Sequence, residues 1–298
     1  MSLVTDNQSL SSNYGLSHDE KEYGRLNKQH IILKEFVGAN YLAPLDRYAE
    51  PGIRNILDLG CGTGLWALEM ASEFPEADVI GIDTTLPRIS APRENCRFMI
   101  TDITTRFSFE DNSFDVVQMR IVPSLANREN ILQEIWRVLR PGGFVLFLEP
   151  AEIFSGATQS RPPSFLEEDR LLSTSPHRGV AKEQNSDFTW SIAFKLAEIL
   201  RDAKDPTGNA LFGDVQEKRF EFPVGAWPTD ERQAKFGKMI AETQVSLLEG
   251  FREMLLTNGI VTEEEFSNLL KAIIAETNDV SLQLQIPYVY AWGRKTHT

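Results

Sequence analysis

The run Asp58-Leu59-Gly60-Cys61-Gly62-Thr63-Gly64 carries the strongest chemical signal in the sequence. It follows the apolar run 55–59 and precedes a helical pattern, so it reads as a strand-to-helix turn. Glycines there let the backbone turn tightly and approach a ligand with no side chain between. The helix N-terminus adds N–H donors that have no partner within the helix. Roughly 20 residues further on, a second strand, 78–83, ends in Asp83 and is followed by Thr84. A carboxylate at that place can accept from both hydroxyls of a nucleoside ribose. A tight turn that serves only the fold is the competing reading of the glycines.

Nicotinamide-binding folds share this layout, but their fingerprint is G-x-G-x-x-G/A. Here Leu65 stands in the last position, where close packing needs a small residue, and the spacing is G-x-G-x-G. Three further pieces follow. Thr101-Asp102-Ile103 succeeds a third strand, 96–100, where a carboxylate can accept from an adenine amino group. Asn112-Ser113-Phe114-Asp115-Val116-Val117 opens a fourth strand, 113–119, and Leu139-Arg140-Pro141-Gly142-Gly143 precedes a fifth, 144–148. Polar groups at successive strand ends converge on one crevice of a parallel sheet.

In order and spacing these pieces resemble the class I S-adenosylmethionine (SAM)-dependent methyltransferases. Three other runs extend the likeness: Glu22-Tyr23-Gly24-Arg25-Leu26-Asn27-Lys28-Gln29-His30, Leu42-Ala43-Pro44, and Pro223-Val224-Gly225-Ala226-Trp227. With them the chain resembles the fungal LaeA-like methyltransferases from Glu22 to Lys295, most specifically in its N-terminal half. That resemblance implies SAM as the cofactor and a helix before the core that closes over it. Arg25 then pairs with the methionine carboxylate, which a guanidinium reads bidentately. The expected cofactor set is Tyr23, Arg25, His30, Asp58, Gly60, Cys61, Gly62, Asp83, Thr84, Asp102, Ile103 and Arg120. Some of these have plainer alternatives. Arg25 reads equally as a solvated surface arginine, His30 as a satisfied core histidine, and Arg120 as an outward-facing arginine.

The elements that must position these residues follow from periodicity. Residues 18–43 are helical in pattern, with Leu26, His30, Leu33 and Val37 near one face and Pro44 as the breaker. Further helices are expected at 66–74, 128–139, 190–201, 231–256 and 263–276, the last with Thr262 as its cap. Strands at 215–223 and 285–293 complete seven. The expected fold is α/β, a doubly wound, seven-stranded, mostly parallel sheet with an N-terminal helical cap and helical lid insertions. One domain spans 1–298: a disordered tail at 1–13, the cap at 14–50, the SAM-binding core at 51–150, and the lid with the rest of the sheet at 151–298.

Composition narrows the substrate. The net charge is -13 and no Lys/Arg cluster stands out, which argues against nucleic acid and against anionic membranes. Cys61 and Cys96 make no CxxC pair, no long apolar span occurs, and residues 1–13 lack a signal-peptide build. The expected location is cytoplasmic, or nuclear for a regulatory protein.

SAM carries its own activation on a positive sulfur, so the enzyme needs mainly to align the acceptor and exclude water. A base is needed only for an acceptor that starts protonated. The fourth strand ends in Gln118-Met119-Arg120-Ile121-Val122, without the Asn/Asp-Pro-Pro-Tyr/Phe motif of enzymes that methylate adenine or glutamine nitrogen. No carboxylate cluster suggests a magnesium site, so no metal is expected. Residues 151–187 read as a long loop or lid with one helix near 165–172, and they should recognise the acceptor. His177 on that lid and Glu149 past the fifth strand are the candidate bases. Their alternatives are an ordinary loop histidine and a carboxylate that supports backbone. The leading reading is methyl transfer to oxygen, nitrogen or sulfur of a small secondary metabolite. A LaeA-type regulatory protein acting in a complex is the alternative. A SAM-binding fold that catalyses ring closure is a third.

Overall fold

The computed structural model describes residue 16 and residues 19–47, 52–91, 93–122, 128–173, 190–205 and 207–296. The first half alternates strand and helix. Strand β1 (Asn55–Leu59) leads through the glycine turn into α2 (Leu65–Glu73), then β2 (Asp78–Asp83) and β3 (Cys96–Ile100). Strand β4 (Phe114–Arg120), α3 (Arg128–Val138) and β5 (Leu139–Pro150) follow. Before them comes the cap helix α1 (Glu20–Val37). After them come β6 (Phe154–Ser155), α4 (Pro163–Ser173), a 3-10 turn (Trp190–Lys195), α5 (Leu196–Asp202), β7 (Phe212–Pro223), α6 (Glu231–Thr257), α7 (Glu263–Asn278) and β8 (Leu284–Lys295).

One eight-stranded sheet results, in the order β3-β2-β1-β4-β5-β8-β6, with β7 also paired to β8. β1 to β5 are mutually parallel, and β8 runs antiparallel to β5, β6 and β7. The sheet is α/β and mostly parallel, as the alternating pattern predicts. The eighth strand is β6, two residues bridging Gln285 and Leu284, too short to leave a periodic trace. Period-two alternation sorts the core into two layers. Ile56 belongs to the layer that contains Trp66 and Met70 of α2, whereas its neighbour Leu57 belongs to the layer that contains Ile131 and Ile135 of α3.

Two expected boundaries move. The cap helix stops at Gly38, not at Pro44. Gly38 takes the left-handed conformation (φ 82°) and its N–H bonds the Lys34 carbonyl, a helix-ending geometry that glycine adopts without a Cβ penalty. The fifth strand starts at Leu139 rather than 144, because Leu139 already faces Phe114 before a register shift in the ladder. Asp115, within a motif read as part of the cofactor signature, faces the other end of the sheet. It accepts from the backbone N–H of Arg54 (2.7 Å) and Asn55 (2.8 Å) and from Arg140 (2.7 Å), so it pins the start of β1 to β4.

The cap is held along its length. Phe36 stacks on Phe222 of β7 with ring centres 3.9 Å apart, and Arg232 of α6 donates to the Glu35 carbonyl. Lys28 pairs with Glu242 of α6 at 3.1 Å. Helix α7 starts with a reciprocal cap: Thr262 accepts from Glu265 N–H while Glu265 accepts from Thr262 N–H. Among the described residues no helix is long and apolar enough to cross a membrane.

Candidate active site

The glycine turn has the backbone its sequence demands. Gly60, Gly62 and Gly64 all have positive φ (68°, 55° and 76°). A Cβ on Gly60 would stand 2.8 Å from a Val122 methyl, and one on Gly64 would stand 2.7 Å from the Phe98 ring. The turn therefore tolerates no larger residue at either place. A Cβ on Gly62 would meet only Leu26 of the cap, at 3.7 Å. Cys61 lies within the turn, and burial pushes its thiol well above the usual range, so it stays protonated.

Asp83 closes β2 and faces this turn. One carboxylate oxygen accepts from Gly62 N–H at 2.8 Å, and the other accepts from Thr84 N–H at 2.7 Å and from the Thr84 hydroxyl at 3.3 Å. These bonds fix the carboxylate, and the oxygen that accepts only from Gly62 keeps a further lone pair open to a ligand. At the next strand end, one oxygen of Asp102 accepts from Thr104 N–H (2.8 Å) and its hydroxyl (2.7 Å), which leaves the second oxygen to a ligand. Ile103 beside it is buried.

Asp58 is buried at the end of β1, in register with Gln118 of β4. Burial raises its carboxyl to about 7, against the opposing pull of Arg120. Arg120 ends β4 and sits against the cap, its Nη2 2.6 Å from His30 Nδ1. His30 is buried, and its Nε2 lies 3.1 Å from Glu69 of α2, which also meets Lys34 at 2.8 Å. Burial and the Arg120 charge lower His30 to about 4, so the ring is neutral. Next to Arg120, Ile121 has a positive φ (49°), rare for a β-branched residue, and is held by its N–H bond to the Leu148 carbonyl.

Arg25 is not a solvated arginine. It is buried and gripped bidentately by Glu22, at 2.7 and 2.6 Å. Tyr23 latches the cap to the segment after β2: its hydroxyl donates to the Leu86 carbonyl at 3.3 Å, and the Arg88 guanidinium lies 5.3 Å over its ring. The cap thus lies across the glycine turn and the Asp83 crevice.

Beyond the tips of β4 and β5 a cavity opens. Met119, Ile121 and Phe147 line it from the sheet, Arg25, Leu26 and Gln29 from the cap, Phe165 and Glu168 from α4, and Phe251 from α6. Glu149 also lines it, and its Oε1 accepts from Val122 N–H at 3.4 Å, the backbone-supporting contact expected as its alternative. His177 lies outside the described residues. Among the described residues no cluster of three metal-binding side chains occurs. Sequence reasoning missed Glu22, Glu69 and Glu168. Only Glu22 carries a local signal, three residues before Arg25 on one helix.

The residues present would fit SAM: a glycine turn closed to a Cβ at Gly60 and Gly64, carboxylates at Asp83 and Asp102 with an oxygen open to a ligand, and a cap that reaches Gly62 and Leu86. A mostly parallel sheet with that crevice at its carboxyl ends is a doubly wound α/β arrangement, here with the antiparallel β8 beside β5. Residues 56–143 match a methyltransferase domain family. The chain is 26% identical over 276 residues to the methyltransferase pytC of Aspergillus terreus, covering 91% of this chain and 80% of pytC. It is 26% identical over 304 residues to the N-methyltransferase gliN of Aspergillus fumigatus, covering 99% and 100%. To the secondary metabolism regulator laeA of Aspergillus flavus it is 28% identical over 228 residues, covering 76% of this chain and 58% of laeA. The chain is a class I SAM-dependent methyltransferase that resembles the LaeA-like proteins, and its cofactor is SAM.

Proposed function

We propose that this enzyme methylates an O, N or S atom of a small secondary metabolite bound in the cavity beyond β4 and β5. The cavity carries the proposal: it is lined largely by apolar side chains and begins at Met119 and Ile121, where the fourth strand meets the cofactor crevice. Bound there, SAM supplies a methyl group already activated by a positive sulfur. The chain's residues align and enclose. Asp83, Asp102 and the glycine turn hold the nucleoside, and Arg25 with Glu22 stands at the border between cofactor and acceptor. Leu26 reaches both the glycine turn and the cavity, so the cap excludes water from both at once. Glu149 accepts a proton from acceptors that must lose one, with His177 as the second candidate. We read the whole of 1–298 as one domain serving this reaction.

A test uses the purified chain with isotopically labelled SAM and extracts of the source organism. A product heavier by one methyl group supports the reading, and label appearing only on protein argues against it. The regulatory reading rests on the likeness to laeA. Stable partner proteins on purification, with no labelled metabolite, would favour it.

A further inference from the structure

We propose that Tyr288 anchors the acceptor, its hydroxyl donating to a carbonyl, ether or hydroxyl oxygen of an otherwise apolar molecule; this rests on the cavity being the acceptor site. Tyr288 lies on β8 in register with Pro150, the last residue of β5. It therefore stands at the carboxyl end of the parallel strands, where the crevice opens. It lines the cavity and is itself only 3% exposed.

The two ends of this side chain have different neighbours. The ring packs against Phe222 of β7, with centres 4.8 Å apart, and Phe222 in turn stacks on Phe36 of the cap. The hydroxyl stands at the other end, under the influence of Gln29 and Arg25 of the cap and Glu149 of β5. All three of those residues line the cavity with it, so the polar end is the cavity end. Gln29 and Phe36 lie two turns apart along one face of α1. The cap thus addresses Tyr288 at both ends and fixes ring and hydroxyl together.

The hydrogen-bonding sense left to a ligand follows from the phenol. It has one proton to give and lone pairs with which to receive. Burial pushes Tyr288 up to about 12, so its proton stays on oxygen at any working pH. Gln29 pulls the other way through its side-chain hydrogen bond, the effect of an amide N–H turned to the phenolic oxygen. That leaves the hydroxyl proton to the ligand, and a donor reads an accepting oxygen. A buried donor also discriminates more sharply than an apolar wall does, because a ligand without the matching acceptor leaves it unpaired.

Tyr288→Phe removes the hydroxyl and keeps the ring on Phe222. The full chain is assayed with isotopically labelled SAM and serial dilutions of an extract of the source organism, reading the labelled small-molecule product. Tyr288→Phe is expected to need extract about tenfold more concentrated for half-saturation, the effect of one lost hydrogen bond. Its rate at saturating extract should stay within about threefold of wild type, and its affinity for S-adenosylhomocysteine within about twofold. Gln29→Leu, on the half-buried face of the cap, should shift half-saturation in the same direction by less. An unchanged half-saturating dilution in Tyr288→Phe overturns the proposal. So does a fall in S-adenosylhomocysteine affinity that parallels the loss of rate, since that marks a structural role. If the wild type binds S-adenosylhomocysteine but labels no small molecule, the small-molecule reading fails and this proposal falls with it.

Discussion

His30 on the cap helix and Arg120 at the tip of β4 meet at 2.6 Å, Nδ1 to Nη2. A guanidinium only donates, so Nδ1 is the acceptor and the ring proton sits on Nε2, which lies 3.1 Å from Glu69 without hydrogen-bond geometry to it. The cap is thereby tied to the tip of β4.

That tie predicts an acid limb in stability. His30 is lowered by burial and by Arg120 from the ordinary 6.5 to about 4. Between those values the unfolded chain binds the proton that the folded chain refuses, so stability falls as pH drops through this window. His30→Gln should remove about 2 kcal/mol of the loss between pH 7 and pH 5, read by urea unfolding at both. Parallel profiles for variant and wild type would count against the neutral, buried ring.

The glycine turn makes a graded prediction. Gly60→Ala and Gly64→Ala add a Cβ at 2.8 Å from Val122 and 2.7 Å from Phe98, on top of a left-handed φ. Each should cost about 2–4 kcal/mol and abolish measurable SAM binding, by strain plus overpacking. Gly62→Ala meets nothing closer than 3.7 Å and should cost only about 1–2 kcal/mol. Denaturation midpoints in the reverse order would refute this geometry.

Asp83 orders the turn through Gly62 N–H and, in the proposed function, also holds the ribose. Asp83→Ala is expected to weaken SAM binding by about 1–3 kcal/mol while the chain stays folded. An unchanged dissociation constant would mean that the ribose is held elsewhere.

The pair Glu22–Arg25 separates packing from binding. Arg25→Ala removes the bidentate partner of a buried carboxylate and should destabilise by about 3–5 kcal/mol as well as weaken SAM. Arg25→Met with Glu22→Gln removes both charges and should recover most of the stability but not the affinity. If the double variant binds SAM like the wild type, Arg25 does not read the methionine carboxylate.

What the sequence makes legible here is what a few consecutive residues dictate. The glycine turn announces itself because its backbone is forbidden to other residues, and Asp83 because it ends an apolar strand at a fixed distance from that turn. The Thr262 cap is legible for the same reason, lying three residues from Glu265. The His30–Arg120–Glu69 cluster is not local: His30 and Arg120 stand 90 residues apart, and only the cap folding over α2 and β4 joins them. Nor does Asp115 reveal from its motif that it faces the far end of β4. The cap's end at Gly38 was masked by the apolar periodicity that continues to Leu42, which the left-handed glycine overrides.

Calorimetric titration of S-adenosylhomocysteine and of SAM into the purified chain tests the central claim most directly. The account predicts one site per chain, with low-micromolar or tighter affinity for both and a marked loss in Asp83→Ala. No heat and no thermal shift with either ligand, from a protein shown to be folded, would contradict it.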